Sequence, residues 1–114
     1  MTDNAYRGSQ RRAHYRVRYP SGNTPRLLLG NTAFLGTNFL VMDISEHGAR
    51  VANPLRRRFP DDLFPVTLFL LEGEALKVLA RVVRIGSDYV ALYFPQGIPY
   101  KRILAEQLFV RNLA

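Results

Sequence analysis

Residues 66–95, VTLFLLEGEALKVLARVVRIGSDYVALYFP, indicate the fold of this chain. Three runs in this stretch are rich in aliphatic and aromatic residues, and polar breaks at 72–74 and 86–88, each containing a glycine, separate them. Runs of this length with turn residues between them are typical of β-strands joined by short turns. We therefore predict three consecutive strands here.

Further short strands are predicted upstream of this stretch. The segments RLLLG (26–30), NFLVMDIS (38–45) and GARVAN (48–53) carry apolar residues between polar breaks. Because these strands are short and no helix separates them, the pattern predicts an all-β fold, either an antiparallel barrel or a sandwich. Pro20 ends a further alternating segment, residues 14–19, with Tyr15, Val17 and Tyr19 on one side and Arg16 and Arg18 on the other.

Only the C-terminal end of the chain is predicted to be helical. Pro99 suits the first turn of a helix, and the apolar residues after it recur with a helical period. We therefore predict a helix over residues 99–113 that covers a barrel mouth or a sheet face. Its apolar arc consists of Tyr100, Ile103, Leu104, Leu108, Val110 and Leu113.

Composition and charge narrow the class of protein. A chain of 114 residues forms one domain, and 47% hydrophobic with 22% charged residues is an ordinary globular balance. Without cysteine, and with only His14 and His47, the sequence predicts neither a disulfide nor a metal site. The net charge of +7 favours an anionic partner, which is a nucleic acid, a nucleotide or an acidic membrane surface.

The sequence carries no signal for export or membrane insertion. Residues 1–10, MTDNAYRGSQ, lack the apolar stretch of a secretory signal, and no later run approaches the roughly 18 apolar residues of a membrane span. We expect a soluble, cytoplasmic protein. Residues 1–10 are predicted to form a flexible tail, and residues 11–114 form the folded domain.

The segment DISEHG, residues 43–48, lies between two predicted strands and allows two interpretations. As a turn, Asp43 and Ser45 would hydrogen-bond to the local backbone and Gly48 would supply a positive φ. As a base-recognition site, an ionised Asp43 would accept hydrogen bonds from N1 and N2 of a guanine, with the Ser45 hydroxyl beside it. Gly48 would then allow close approach of the ligand.

The segment QRRAHYRVRYP, residues 10–20, concentrates arginine. The planar guanidinium group matches guanine O6 and N7, or two phosphate oxygens, and its face stacks on aromatic bases. A mobile segment carrying Arg11 and Arg12 would close over a ligand that already rests on the sheet, at a cost in ordering. The alternative interpretation is a basic tail that leads into a solvated surface strand.

Together, the two segments resemble the PilZ domain, the bacterial receptor module for cyclic di-GMP. RRAHYR, residues 11–16, matches the R-R-x-x-x-R motif of that family, and DISEHG matches its D/N-x-S-x-x-G motif about thirty residues later. LARVVRIGSDYVALYF, residues 79–94, is similar to the family's last sheet hairpin. The resemblance runs from about Gln10 to the C-terminal helix. It implies a six-stranded antiparallel β-barrel with a helix at its end and a ligand pocket on the outer surface of the barrel.

The resemblance implies that the arginine segment is a flexible clamp over the ligand. Arg12 and Arg16 would bind a phosphate and the Hoogsteen edge of a guanine. In this family an arginine at the position of Arg11 is associated with a stacked pair of cyclic di-GMP molecules, because its guanidinium group joins the stack. We therefore expect a ligand dimer.

The resemblance also places the DISEHG segment at the other side of the pocket. Asp43 and Ser45 would bind a guanine from the sheet side, and Gly48 would keep the path clear. His47 departs from many relatives, which have a small residue there. It would crowd the pocket, add a contact or lie exposed in the loop.

The function that follows is that of a binding receptor or adaptor. An enzyme is disfavoured, because the sequence offers no pairing of a nucleophile, a base and an orienting group. Cyclic di-GMP would order the arginine segment, and an unidentified effector protein would read the altered surface, since we expect a single-domain protein without an output domain of its own. Neither a cofactor nor a metal ion is expected.

Two alternative functions remain open. One is a PilZ-type adaptor that acts without ligand in pilus or flagellar machinery. The other is a small β-barrel that binds single-stranded nucleic acid, for which RRRF (56–59) offers clustered arginines and an aromatic ring. Pro54 and Pro60 bracket that cluster, which favours a solvated loop or a surface for a protein partner. Nucleic acid binding also needs exposed aromatics across one sheet face, whereas we expect a core-facing set of Tyr15, Phe39, Phe69, Tyr89 and Tyr93.

Overall fold

The computed structural model describes residues 16–30 and 38–113. The predictions for the N-terminal tail, and those for Arg11 and Arg12, therefore lie outside the described residues. The secondary structure consists of strands β1 (Val17–Arg18), β2 (Arg26–Leu29), β3 (Asn38–Ser45), β4 (Gly48–Ala52), β5 (Phe64–Phe69), β6 (Leu76–Ile85) and β7 (Tyr89–Tyr93), followed by helix α1 (Tyr100–Arg111).

Six of these strands close into an antiparallel barrel. β2 pairs with β3 and β5, β6 pairs with β5 and β7, and β4 pairs with β7 and β3, which completes the ring. A closed ring leaves none of these six strands as a free sheet edge. The predicted six-stranded antiparallel barrel with a C-terminal helix is confirmed, and the sandwich alternative is excluded.

The short strand β1 is an addition to the ring. It pairs with β3, where Arg18 lies opposite Asp43. The N–H group of Tyr19 continues this pairing by donating to the carbonyl of Met42 at 3.2 Å. The strand is shorter than the sequence predicted, but its alternation is as expected, since Val17 is fully buried between two exposed arginines.

The core fills the inside of the barrel. Inward-facing residues of each strand alternate with outward-facing ones, as the pattern of Val90 and Leu92 in β7 shows. Each fully buried aliphatic or aromatic side chain contributes about 1.5–3 kcal/mol to folding. The largest fully buried apolar side chains are Phe94, Leu27, Ile44, Leu68 and Ile103.

Register shifts in β3 and β6 change which residues face outward. In β3 the register shifts between Val41 and Asp43. As a result, Val41 faces the core, whereas Met42 and Asp43 both face away from it. Asp43 then lies opposite Arg50 of β4, on the outer face of the barrel. A second shift, in β6, places Arg84 on the same outer face. Bulges of this kind are known to re-aim side chains.

The helix is confirmed, but its buried face differs from the predicted arc. Ile103 and Glu106 are buried against the barrel, whereas Leu104 and Leu108 are exposed. The predicted arc was wrong because apolar periodicity places a glutamate on the solvent side of a helix. The hydrogen bonds that allow Glu106 to be buried are not visible in the sequence. Within residues 16–30 and 38–113, no helix is long and apolar enough to cross a bilayer.

Glu106 is a buried carboxylate with three hydrogen-bond donors. Its Oε2 atom accepts from the Tyr19 hydroxyl at 2.6 Å and from the N–H of Leu71 at 2.8 Å, and its Oε1 atom accepts from the N–H of Glu72 at 3.0 Å. Burial, together with the hydrogen bond to Glu106, raises the pKa of Tyr19, which therefore remains a donor. Arg102 adds bonds of 3.2 and 2.6 Å to carbonyls of the same β5–β6 turn. These contacts fix α1 to the turn and to the residue after β1.

Candidate functional site

A groove of about 670 Å³ lies on the outer face of the barrel, where β4, β7 and β6 are neighbours. Arg18 of β1, which pairs with β3, also lines it. This volume is within the range of small-molecule sites. The described lining includes no aspartate or glutamate, and it includes four arginines: Arg16, Arg18, Arg50 and Arg84. The groove is therefore suited to an anion.

Asp43 lies beneath two of these arginines. Its Oδ1 atom accepts a hydrogen bond from Nη1 of Arg16 at 2.5 Å, and its Oδ2 atom accepts one from Nε of Arg50 at 2.7 Å. Asp43 is only 1% exposed, while the Arg16 and Arg50 side chains are 39% and 42% exposed. One carboxylate thus holds two cations side by side at the groove. A guanine that bound Asp43 as predicted would have to displace one of them.

The structure brings Arg16 together with the DISEHG segment, as the sequence predicted for its two motifs. Arg16 immediately precedes β1, and β1 pairs with the part of β3 that contains Asp43. Ser45 is buried beside the groove, and its hydroxyl donates to the Gly48 carbonyl at 3.4 Å. The other two arginines of the motif, Arg11 and Arg12, lie outside the described residues.

Gly48 has a different structural role from the predicted turn glycine. The described glycines with positive φ do not include it, so the turn interpretation was wrong on this point. Instead, a Cβ atom at Gly48 would lie 2.8 Å from the carbonyl oxygen of Leu92. Gly48 faces outward opposite Tyr93, where β4 and β7 pair closely. A glycine is needed here because the backbones of β4 and β7 lie close together. It also leaves this position of the groove without a side chain.

His47 is exposed and lines the groove. Its Nδ1 atom lies 3.1 Å from the carbonyl oxygen of Phe94, so Nδ1 carries the proton and donates it. The ring stacks against Tyr93 with a centroid distance of 6.2 Å and an interplanar angle of 22°. The loop histidine is therefore held at the groove, with its Nε2 atom available as a polar group.

Sequence reasoning missed two arginine–tyrosine pairs on the outer face of the barrel, of which Arg50, Tyr89 and Tyr93 line the groove. Arg50 lies with its Cζ atom 5.6 Å from the ring centroid of Tyr89, and Arg81 lies 5.3 Å from that of Tyr93. Tyr89 and Tyr93 face outward, so the prediction that they face the core was wrong. The two-residue period of β7 was the available signal, because Val90 and Leu92 take the inward positions.

The prediction for the other aromatics was mixed. Phe39 is buried as expected, but Phe69 is exposed. Tyr15 lies outside the described residues.

The arginine cluster at 56–58 lies in an exposed loop away from the groove lining. The Asn53 side chain holds this loop through hydrogen bonds of 3.0 and 2.9 Å with the Arg57 backbone. Phe59 is only 8% exposed, and its ring packs 4.8 Å from that of Phe39. Because the ring is part of the core, it is not available to stack on a base.

The charges at the groove favour a ligand with two or more negative charges. Four guanidinium groups face one carboxylate, which leaves an excess of three positive charges among the described residues. Within residues 16–30 and 38–113, no group of His, Asp and Glu side chains is placed to hold a metal ion. Hydrogen bonding and charge are what this site offers a ligand.

Comparison with known proteins identifies the family and the fold of the chain. The family profile of the PilZ domain matches residues 10–109. The Legionella uncharacterized protein Lpg0364 superposes with a TM-score of 0.55 at 15% identity, over 88% of this chain and 94% of that chain, which shows a shared fold. The PilZ domain of CeSA from a cellulose synthesizing bacterium gives a TM-score of 0.49 at 20% identity, over 87% and 97% of the two chains. No curated protein matches the chain.

PilZ domains are binding and adaptor modules. The matched residues include both the arginine segment and DISEHG, together with all seven strands and most of α1. The chain therefore belongs to the PilZ domain family, whose members are generally receptors for cyclic di-GMP.

Proposed function

We propose that this protein is a receptor for cyclic di-GMP that orders its N-terminal arginine segment when the ligand binds and signals through a protein partner. The observation that carries the proposal is the hydrogen bond from Arg16 to Asp43, two residues that are 27 positions apart in the chain. This contact joins the arginine motif and the DISEHG motif at one groove.

The charge of the groove supports this ligand. A cyclic dinucleotide with two phosphodiesters carries two negative charges, and the groove has an excess of three positive ones among its described residues. Charge-assisted hydrogen bonds from arginine to phosphate are stronger than neutral ones. The ligand would lie on β4 and β7, with Arg16 and Arg50 at one side.

The N-terminal segment is close enough to close over such a ligand. Arg12 is four residues before Arg16, so an extended chain carries it at most about 14 Å away. Arg11 and Arg12 would contact the exposed side of the ligand, and Arg11 would stack with a second ligand molecule. An ordered arginine segment would then form part of the surface that the partner protein reads.

Two alternative functions determine which controls the experiments need. Tyr89 and Tyr93 face outward, which favours binding of single-stranded nucleic acid, although Arg50 and Arg81 already lie close to their rings. A PilZ-type adaptor that acts without ligand would leave the groove unused.

Titration calorimetry tests the proposal directly. The full chain is titrated with cyclic di-GMP, and GMP and single-stranded DNA serve as control ligands. We expect cyclic di-GMP to bind with micromolar affinity or better, which corresponds to a binding free energy of about −8 kcal/mol. We expect about two ligands per protein. No heat with cyclic di-GMP would refute the proposal, and a stoichiometry near one would refute the stacked dimer.

The variant Arg16→Ala tests the site. We expect it to abolish detectable binding, because it removes the contact that joins the two motifs. Arg111→Ala is a matched control, since it removes the same charge from the exposed end of α1. Equal affinity of Arg16→Ala and wild type would contradict the assignment of this groove.

A further inference from the structure

Arg50 is held at the groove by two contacts, one with a carboxylate and one with an aromatic ring. It faces outward from β4, between the backbone of β7 and that of β3. Its Nε atom donates to Oδ2 of Asp43 at 2.7 Å, and its Cζ atom lies 5.6 Å from the centroid of the Tyr89 ring. A carboxylate on one side and an aromatic face on the other fix both the position and the plane of this guanidinium group.

The contacts of Arg50 leave its terminal amino groups available. A guanidinium group has five N–H donors, and Asp43 takes one of them. Within the described residues, the terminal amino groups have no other hydrogen-bond acceptor, and the side chain lines the groove. Four N–H donors are thus left on a side chain that lines the groove.

We propose that Arg50 is a ligand-binding residue whose terminal amino groups bind a phosphodiester of the ligand, while Asp43 and Tyr89 hold it in place. This inference rests on the proposed function and adds a residue outside both sequence motifs. It assigns this contact to a residue of the barrel wall, on β4.

A phosphodiester fits Arg50 better than a base does. The Tyr89 ring lies beside the guanidinium group, which hinders a base from stacking on that side. The groove has more positive than negative charge, so its arginines bind a negatively charged group more strongly than a neutral one. Because Asp43 and Tyr89 already hold it, Arg50 loses little side-chain entropy when the ligand binds.

The first experiment compares two arginines of the same groove. Arg50→Gln and Arg84→Gln remove the same charge, but Arg84 has no hydrogen bond or ring contact within the described residues. We expect Arg50→Gln to weaken binding of cyclic di-GMP by about tenfold to a hundredfold and Arg84→Gln by about threefold or less. Arg50→Lys, which keeps the charge but loses the planar group, should weaken binding by about tenfold.

The second experiment separates a phosphate contact from a base contact. Wild type and Arg50→Gln are titrated with the two phosphorothioate diastereomers of cyclic di-GMP and with an analogue that carries 7-deazaguanine. If Arg50 binds a phosphate, replacement of one phosphate oxygen by sulfur weakens binding to wild type but changes binding to Arg50→Gln little. The loss of guanine N7 should have the same effect on both proteins. Such a cycle isolates one pairwise interaction.

The outcomes are distinguishable. If wild type binds cyclic di-GMP but Arg50→Gln and Arg84→Gln weaken binding equally, the role of Arg50 is refuted and the proposed function stands. If the 7-deaza effect disappears in Arg50→Gln while the sulfur effect persists, Arg50 contacts the base and the phosphate assignment is refuted. If wild type does not bind cyclic di-GMP, both proposals fail. Thermal melting of each variant verifies that it is folded, and Arg50→Lys replaces Arg50→Gln if the latter does not fold.

Discussion

Two buried carboxylates accept hydrogen bonds from the two residues that flank β1, and they have opposite surroundings. Asp43 accepts hydrogen bonds from Arg16 and Arg50, which are charged and remain partly exposed. Glu106 is fully buried and accepts from the Tyr19 hydroxyl and from two backbone N–H groups of the β5–β6 turn. Both carboxylates are fully satisfied, as buried polar groups must be.

The difference between their donors distinguishes a binding site from a structural junction. The Arg16 and Arg50 side chains are partly exposed at the groove, so their remaining N–H donors can bind an anion while Asp43 holds them. The backbone donors at Glu106 cannot move without changing the fold, and the Tyr19 hydroxyl has no contact with the groove lining. We infer that Asp43 serves ligand binding, whereas Glu106 attaches α1 to the barrel.

The largest effect is expected at Glu106. Glu106→Leu should lower the free energy of unfolding by about 2–4 kcal/mol, because three donors lose their acceptor in a buried position. Urea unfolding measures this change. Glu74→Leu, at an exposed position in the same turn, should change the free energy by less than about 0.5 kcal/mol. Equal stability of Glu106→Leu and wild type would show that Glu106 is not a structural junction.

A smaller loss of stability is expected at Asp43, with a large loss of affinity. Asp43→Ala should lower the free energy of unfolding by about 1 kcal/mol, because Arg16 and Arg50 return to solvent. Affinity for cyclic di-GMP should fall by at least about tenfold, since the two arginines lose their common anchor. Urea unfolding and calorimetry on the same samples measure both. A loss of stability as large as that of Glu106→Leu would remove the contrast between the two carboxylates.

The change at Tyr19 should affect stability alone, by about as much as the change at Asp43, and its effect depends on pH. Tyr19→Phe should lower the free energy of unfolding by about 1 kcal/mol at pH 7, because one hydrogen bond to Glu106 is lost. Since folding raises the pKa of Tyr19, its contribution is present below the unfolded pKa of about 10 and decreases above it. The stability difference between wild type and Tyr19→Phe should therefore shrink from pH 9 to pH 11. Unfolding curves at several pH values test this, with Tyr93→Phe as the control, and a difference that grows with pH would contradict it.

The strand pattern was predictable because it is local. Alternation in β3, β4 and β7 and the glycine-containing turns between β5, β6 and β7 are properties of neighbouring residues. The two motif segments were also readable, because their residue types and spacing are matched by a known family. The meeting of Arg16 and Asp43 followed from that resemblance, and the structure confirms it.

Other features of the site could not be read from the sequence. Simple alternation from Phe39 and Val41 would point Asp43 into the core, and only the register shift in β3 turns it toward Arg50. Arg50 belongs to neither motif, so no pattern in the sequence singled it out. The burial of Glu106 likewise depends on donors from the β5–β6 turn, which are 34 and 35 residues away in the chain.

The sequence by itself determined the strands, the C-terminal helix and the two motif segments of this protein. Tertiary structure decided which side of the sheet Asp43 faces, which arginines share it and which carboxylate is buried under α1. The physical reason is that strand formation depends on neighbouring residues and turn chemistry, whereas the facing of a side chain after a bulge and the satisfaction of a buried charge depend on strands and turns that are distant in the chain.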